Sequence, residues 1–99
     1  MDIYYLKEHL CKELDGAKDY LKKAINLKMD KPDWARSFYD MSNAEFEHAK
    51  NIYRILNEYY KEIDVKPELK DYMDPFKNSI DEHYMKCVGM IKYMQENYK

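Results

Sequence analysis

Residues 44–52, AEFEHAKNI, contain a Glu-x-x-His motif, formed by Glu45 and His48, with apolar residues before, within and after it. Side chains three positions apart on an α-helix share one face, about 5–6 Å from each other. The apolar residues on both sides recur at steps of three and four, which is typical of an amphipathic helix. We therefore predict that Glu45 and His48 interrupt the core-facing stripe of a long helix. The predicted stripe consists of Trp34, Phe38, Met41, Glu45, His48, Ile52, Ile55 and Tyr59.

Similar patterns lie before and after this helix, and prolines separate them. Proline ends a preceding helix and is tolerated in the first turn of the next, so Pro32 and Pro67 mark two breaks. The third helix has a second possible start, with Asp74 as N-cap and Pro75 as first helical residue. The helices are predicted over about residues 2–28, 33–63 and either 68–97 or 75–97. Long helices joined by short loops predict an all-α, antiparallel three-helix bundle in a single domain, residues 1–99.

The composition of the 99 residues excludes several other classes of protein. Two Gly and three Pro are too few for a β-sandwich or β-barrel, which needs frequent turns. A net charge of −2 gives no electrostatic basis for binding nucleic acid. The longest run without Asp, Glu, Lys or Arg has five residues, 87–91, whereas a membrane-spanning helix needs roughly 20. The N-terminus also lacks the apolar segment of a secretion signal, so we expect a cytoplasmic protein without membrane or nucleic-acid partners.

Each predicted stripe is interrupted by polar residues near its centre. Burying an ionised carboxylate without a partner costs several kcal/mol, which is comparable to the stability of a small domain. With a rise of about 1.5 Å per residue, Glu13, Glu45 and His48 lie roughly 18–22 Å from the same end of the first helical hairpin. The same arithmetic places His83 of the third helix at the level of His48. The four residues expected in one layer of the bundle are therefore Glu13, Glu45, His48 and His83.

A divalent metal ion is the partner that this set of residues favours. Carboxylates combined with imidazole suit iron, manganese or zinc. We predict that Glu13, Glu45 and His48 bind the ion with His83 as a further ligand, and that iron or manganese is preferred over zinc. Two other interpretations stay open. The residues could form a buried network of Glu–His pairs with tyrosine hydroxyls, or their side chains could reach solvent from the edge of the stripe.

Residues 44–49, AEFEHA, resemble the Glu-x-x-His helix of ferritin-like and rubrerythrin-like proteins, and residues 13–20, ELDGAKDY, resemble the preceding helix of that family. The resemblance implies a four-helix bundle whose di-iron or related site takes a Glu plus a Glu-x-x-His from each half. Only one half is present here, because the residue three positions before His83 is Ile80. Either Asp81-Glu82-His83 supplies ligands in another arrangement, or two chains pair and rebuild the set by two-fold symmetry.

The resemblance implies a metal-binding protein that forms a homodimer or higher homo-oligomer, and three helices would leave an apolar groove for a fourth. If the protein holds two metal ions that each keep an open coordination position, the expected reaction class is ferroxidase-like activation of oxygen or peroxide. We assign no catalytic residue, and whether the protein is an enzyme stays open.

The chain, including residues 31–35, is also similar to small proteins encoded by phages and prophages of Gram-positive bacteria. A phage origin would place the protein in the cytoplasm or the virion. The alternative function is accordingly a small structural or adaptor protein that binds a protein partner without catalysis.

Overall fold

The computed structural model describes residues 2–63 and 67–99, and over that part of the chain it contains helices and no strand. Helix α1 spans Ile3–Leu27, α2 spans Pro32–Ile63 and α3 spans Pro67–Tyr98. These helices confirm the predicted all-α, three-helix fold. None of them, within the described residues, is long and apolar enough to cross a bilayer. Residues 64–66, which belong to the second predicted break, lie outside the described residues.

Local interactions explain where the helices begin and end. Asp2 caps α1, because its carboxylate accepts a 2.9 Å hydrogen bond from the backbone N–H of Tyr4. Pro32 is the first residue of α2, where its missing N–H leaves no hydrogen bond unmade. Lys28 follows α1 and donates a 2.9 Å hydrogen bond to the carbonyl oxygen of Asn97. That bond satisfies an acceptor that the end of α3 would otherwise leave unpaired.

Helix α3 continues through Pro75, so the earlier of its two predicted starts is the one observed. Proline inside a helix removes one hydrogen bond and costs about 3 kcal/mol. Contacts to the other helices stabilise the turn that Pro75 weakens. Asp74 accepts a hydrogen bond from the hydroxyl of Tyr60 on α2, and the Phe76 ring packs against Tyr4 of α1 with centroids 4.8 Å apart.

Helix α1 supplies more buried residues than either of the other helices. It packs extensively against α2 and less against α3, whereas the backbones of α2 and α3 approach each other at few points. The molecule is elongated, with principal dimensions of 56 × 21 × 14 Å. The buried residues of α1 are Ile3, Leu6, Leu10, Leu14, Ala17, Leu21 and Ala24, and those of α3 are Ile80, Cys87 and Ile91.

Helix α2 is rotated relative to its predicted core-facing stripe. Trp34, Met41 and Ile55 were expected in the core, but all three are exposed. The prediction followed the large apolar side chains, whereas half of the six buried residues of α2 are alanine or serine, which allow a closer approach to α1. Glu45 and His48 consequently lie at the edge of the interface and not at its centre. The buried residues of α2 are Ala35, Ser42, Phe46, Ala49, Ile52 and Leu56.

Candidate metal centre

Small residues bring α1 and α2 close together at the level of the predicted ligands. The Ser42 hydroxyl donates a 2.6 Å hydrogen bond to the backbone carbonyl oxygen of Ala17, which requires the two backbones to lie close together. At the neighbouring position, a Cβ on Gly16 would lie only 3.1 Å from Glu45 Oε2. Glycine therefore leaves space for the Glu45 carboxylate directly against the α1 backbone.

Three of the four predicted ligands come together in this space. Glu13 of α1 and the Glu45-x-x-His48 motif of α2 each offer donor atoms, and these atoms all lie within 4.8 Å of one another. Glu13 is largely buried, with 16% of its side chain exposed, whereas 59% of the His48 side chain is exposed. Glu45 is half-buried. The group therefore lies at the edge of the bundle and opens to solvent on the His48 side.

Each carboxylate oxygen of Glu13 has an imidazole beside it. Oε1 lies 3.2 Å from His9 Nε2, which is a hydrogen-bond distance, and Oε2 lies 3.6 Å from His48 Nδ1, which is too long for one. Oε2 is buried and has no hydrogen-bond partner among the described residues. A buried carboxylate oxygen without a donor is costly, and a cation is a partner that would satisfy it.

Glu13 and Glu45 change each other's affinity for a proton. The Glu13 carboxylate raises the pKa of Glu45, because it accepts a hydrogen bond from the protonated acid and repels the charged form. The same hydrogen bond lowers the pKa of Glu13, and the hydrogen bond from His9 lowers it further. Two carboxylates at this separation favour sharing one proton. A divalent cation between them competes with that proton.

His9 contacts this group through Glu13, and it was not among the predicted ligands. It precedes Glu13 by four residues on α1, and 44% of its side chain is exposed. The signal that could have identified it is the His-x-x-x-Glu spacing, because residues four apart share a helix face. His9 lies beside the apolar stripe and not within it, so a search restricted to the stripe passed over it.

The structure does not bring His83 to this group. Its side chain is exposed on α3, and its Nε2 lies 3.6 Å from Cys87 Sγ. It lines a separate cavity between α1 and α3 together with Cys11 and Lys7. The physical reason is helical rotation of about 100° per residue: Tyr84 faces α2, so the preceding residue turns away from that helix.

The acidic residues next to His83, Asp81 and Glu82, are also not part of the candidate metal centre. Asp81 accepts hydrogen bonds of 2.6 Å from the Tyr53 hydroxyl and from Lys77 Nζ. Glu82 is exposed. Within residues 2–63 and 67–99, the only group of three potential metal donors is formed by Glu13, Glu45 and His48.

The donor set of this group fits a divalent metal ion. Two carboxylates and an imidazole are a combination that iron, manganese and zinc accept. The unpartnered Glu13 Oε2 is an acceptor that a cation would satisfy, and the Glu45 carboxylate lies beside it. The partial exposure of the group gives an ion a path from solvent.

Comparison with known proteins identifies one family. The sequence model of the rubrerythrin family matches residues 5–97, which include nearly all of the three helices. No curated protein and no solved structure matches the chain. The matched segment contains the candidate ligands of both α1 and α2. The chain therefore belongs to the rubrerythrin family of ferritin-like helical proteins.

Proposed function

We propose that this protein binds a divalent metal ion, with iron or manganese preferred over zinc, between Glu13 of α1 and Glu45 and His48 of α2. The observation that carries the proposal is the convergence of three donor atoms within 4.8 Å of one another. Membership of the rubrerythrin family supports it, as does the buried Glu13 oxygen that lacks a hydrogen-bond partner among the described residues.

Each residue has a distinct part in this proposal. Glu13 and Glu45 hold the ion from two different helices. His48 contributes its Nδ1 from the solvent-exposed edge. When bound, iron or manganese supplies redox chemistry and the activation of oxygen or peroxide, so ferroxidase-like chemistry is the reaction class proposed for a loaded form.

The test is the metal content of protein purified without chelators, followed by titration with Fe(II), Mn(II) and Zn(II). We expect near-stoichiometric binding in the wild type and its loss in Glu45→Gln and His48→Ala. Glu47→Gln and His83→Ala are the matched controls, because Glu47 is an exposed residue of the same helix that pairs with Lys50. Circular dichroism checks that all variants remain helical.

Two results would contradict the proposal. One is a wild type that binds no metal, which would favour the alternative of an adaptor protein. The other is equal metal content in the site variants and the controls, which would place the ion elsewhere on the chain.

We further propose that two chains pair across the open side of this group. Met41 and Ile55 are exposed at intervals of seven residues from His48, so all three lie along one face of α2. A second copy on this face would bring its own carboxylates and imidazole next to the first set. The pair would then hold the two half-sites that the ferritin-like resemblance implies.

Light scattering tests the pairing. We expect a dimer in the wild type and a monomer when Met41→Glu and Ile55→Glu are combined. Met85→Glu, a change at an exposed position of α3, is expected to leave the dimer intact. A wild type that stays monomeric with and without metal would contradict the pairing.

A further inference from the structure

We propose that His9 is a fourth protein donor to the metal ion, so that one chain offers two carboxylates and two imidazoles. The inference rests on the proposed function, because it concerns the same ion, and it completes the coordination set within a single chain. The contact that carries it is the 3.2 Å separation between His9 Nε2 and Glu13 Oε1.

Both imidazoles lie at or near ligand spacing from Glu13, but His9 lies outside the set of donor atoms that are all within 4.8 Å of one another, so its ring has to turn toward Glu45 and His48 to share their ion. Two donors that each lie about 2.1 Å from a metal ion, at octahedral or tetrahedral angles, are about 3.0–3.4 Å apart. The 3.2 Å between His9 Nε2 and Glu13 Oε1 falls within this range, and the 3.6 Å between His48 Nδ1 and Glu13 Oε2 is slightly longer. Glu13 therefore has one imidazole nitrogen at or near ligand spacing from each of its oxygens.

The two helices contribute equivalent pairs of donors. Helix α1 supplies His9 and Glu13 four residues apart, and α2 supplies Glu45 and His48 three residues apart. Both spacings place the two side chains of a pair on one helix face. The second imidazole, which is missing from α3, is thus available from α1. Two carboxylates and two neutral imidazoles also balance the charge of a divalent ion.

His9 has both the freedom and the space to coordinate. A cavity of about 290 Å³ opens beside His9 and Glu13, and its lining residues all belong to α1. Because 44% of its side chain is exposed, His9 is not held in a closed core and its ring is free to change orientation. A simple His9–Glu13 hydrogen bond would satisfy Oε1 alone, whereas an ion held by Glu13 and both imidazoles would also satisfy the buried Oε2.

Nuclear magnetic resonance of the full chain titrated with Zn(II) tests the inference without a mutation. Long-range ¹H–¹⁵N correlation resolves both ring nitrogens of the three histidines, and coordination shifts the bound nitrogen strongly. We expect His9 Nε2 and His48 Nδ1 to shift together and to saturate at one equivalent of Zn(II), while His83 is unchanged. His9→Ala is expected to weaken Zn(II) binding roughly tenfold or more, and His83→Ala to leave it unaltered.

The outcomes separate this inference from the function on which it rests. If His48 responds and His9 does not, His9 is not a donor although the metal site stands. If His9 responds only to a second equivalent of Zn(II), it binds a different ion, and the inference is overturned. If no histidine responds, the proposed function fails and this inference fails with it.

Discussion

Helix α2 packs against α1 through small side chains and is connected to α3 through stacked tyrosines. On the α1 side, the Ser42 hydroxyl reaches the Ala17 carbonyl oxygen at 2.6 Å, and Ala49 is fully buried. On the α3 side, the rings of Tyr53 and Tyr84 stack with centroids 3.7 Å apart. The backbones of α2 and α3 therefore stay further apart than those of α1 and α2.

This difference explains which polar residues meet. Where small residues allow a close approach, carboxylates from two helices come within reach of one another, as Glu13 and Glu45 do. His83 does not reach the group because Tyr84 faces α2, which turns His83 toward a cavity that α1 lines. The close packing of α1 and α2 and the rotation of α3 therefore decide which candidate ligands can share an ion.

The largest effect is expected from widening the α1–α2 interface with Ala17→Leu. Ala17 is fully buried, and overpacking at such a position costs about 2–3 kcal/mol. Urea unfolding measures this loss, and Zn(II) affinity is expected to fall because the two helices move apart. Ala44→Leu, on the exposed side of α2, is the control. Equal stability in both variants would show that the interface tolerates wider spacing.

Removing a ring from the α2–α3 interface should lower stability without affecting the candidate metal centre. Tyr84→Ala deletes the stacking partner of Tyr53, and we expect a loss of about 2 kcal/mol. Zn(II) affinity is expected to remain as in the wild type. Tyr72→Ala, at an exposed position of α3, should change the free energy of unfolding by less than about 0.5 kcal/mol. A parallel loss of Zn(II) binding in Tyr84→Ala would show that the two interfaces are coupled.

The two glycines provide a matched pair for the α1–α2 interface. Either Gly→Ala change removes a poor helix former, which is worth about 0.8–1 kcal/mol. Gly89 has open space around its Cβ position, so it should gain the full amount. Gly16→Ala should gain less and also bind Zn(II) more weakly, because its methyl group crowds Glu45 Oε2. Urea unfolding and Zn(II) titration of both variants check this, and identical results at the two positions would contradict it.

An effect of similar size concerns the pH dependence of the α2–α3 interface. Burial, together with the hydrogen bond to Asp81, raises the pKa of Tyr53 to about 12. Because the folded pKa lies above the unfolded value of about 10, this contribution to stability is complete below pH 10 and is lost as the pH rises toward 12. We expect a loss of about 1 kcal/mol, since partial exposure screens the effect.

The measurement is the free energy of unfolding in urea across this pH range, in the wild type and in Tyr53→Phe. The variant lacks the ionisable hydroxyl, so its stability should fall less steeply above pH 10. Equal slopes for the two proteins would rule out Tyr53 as the source. Tyr53→Phe also loses the bond to Asp81 at every pH, and therefore the slope, not the absolute stability, is diagnostic.

Much of the fold could be predicted because its determinants are local. The prolines at 32 and 67 begin helices, as their position before apolar periodic segments indicates. Pro75 was ambiguous, since the contacts that carry α3 through it come from Tyr60 and Tyr4 on other helices. The rotation of α2 was not predicted, because its sequence supports two adjacent apolar faces and only packing against α1 selects the one that contains Ser42 and Ala49.

The residues of the candidate site also fall into those that could be predicted from the sequence and those that could not. Glu45 and His48 could be recognised as a pair from their spacing, and Glu13 could be matched to them by axial level. The positions of His9 and His83 relative to the site could not be predicted, because they depend on how far each helix is rotated about its axis and how closely it packs. Axial position follows from a constant rise per residue, whereas rotation and separation depend on all the side chains at an interface.

The sequence by itself therefore determined that the chain forms three helices, and that a Glu-x-x-His pair and a second glutamate lie at one height along them. Only the tertiary structure decided that His9 contacts Glu13 beside this group and that His83 lies apart from it. The physical reason is that helix formation and axial height are local properties of the chain. The lateral meeting of donors depends on the close packing of α1 and α2 and on the rotation of α3.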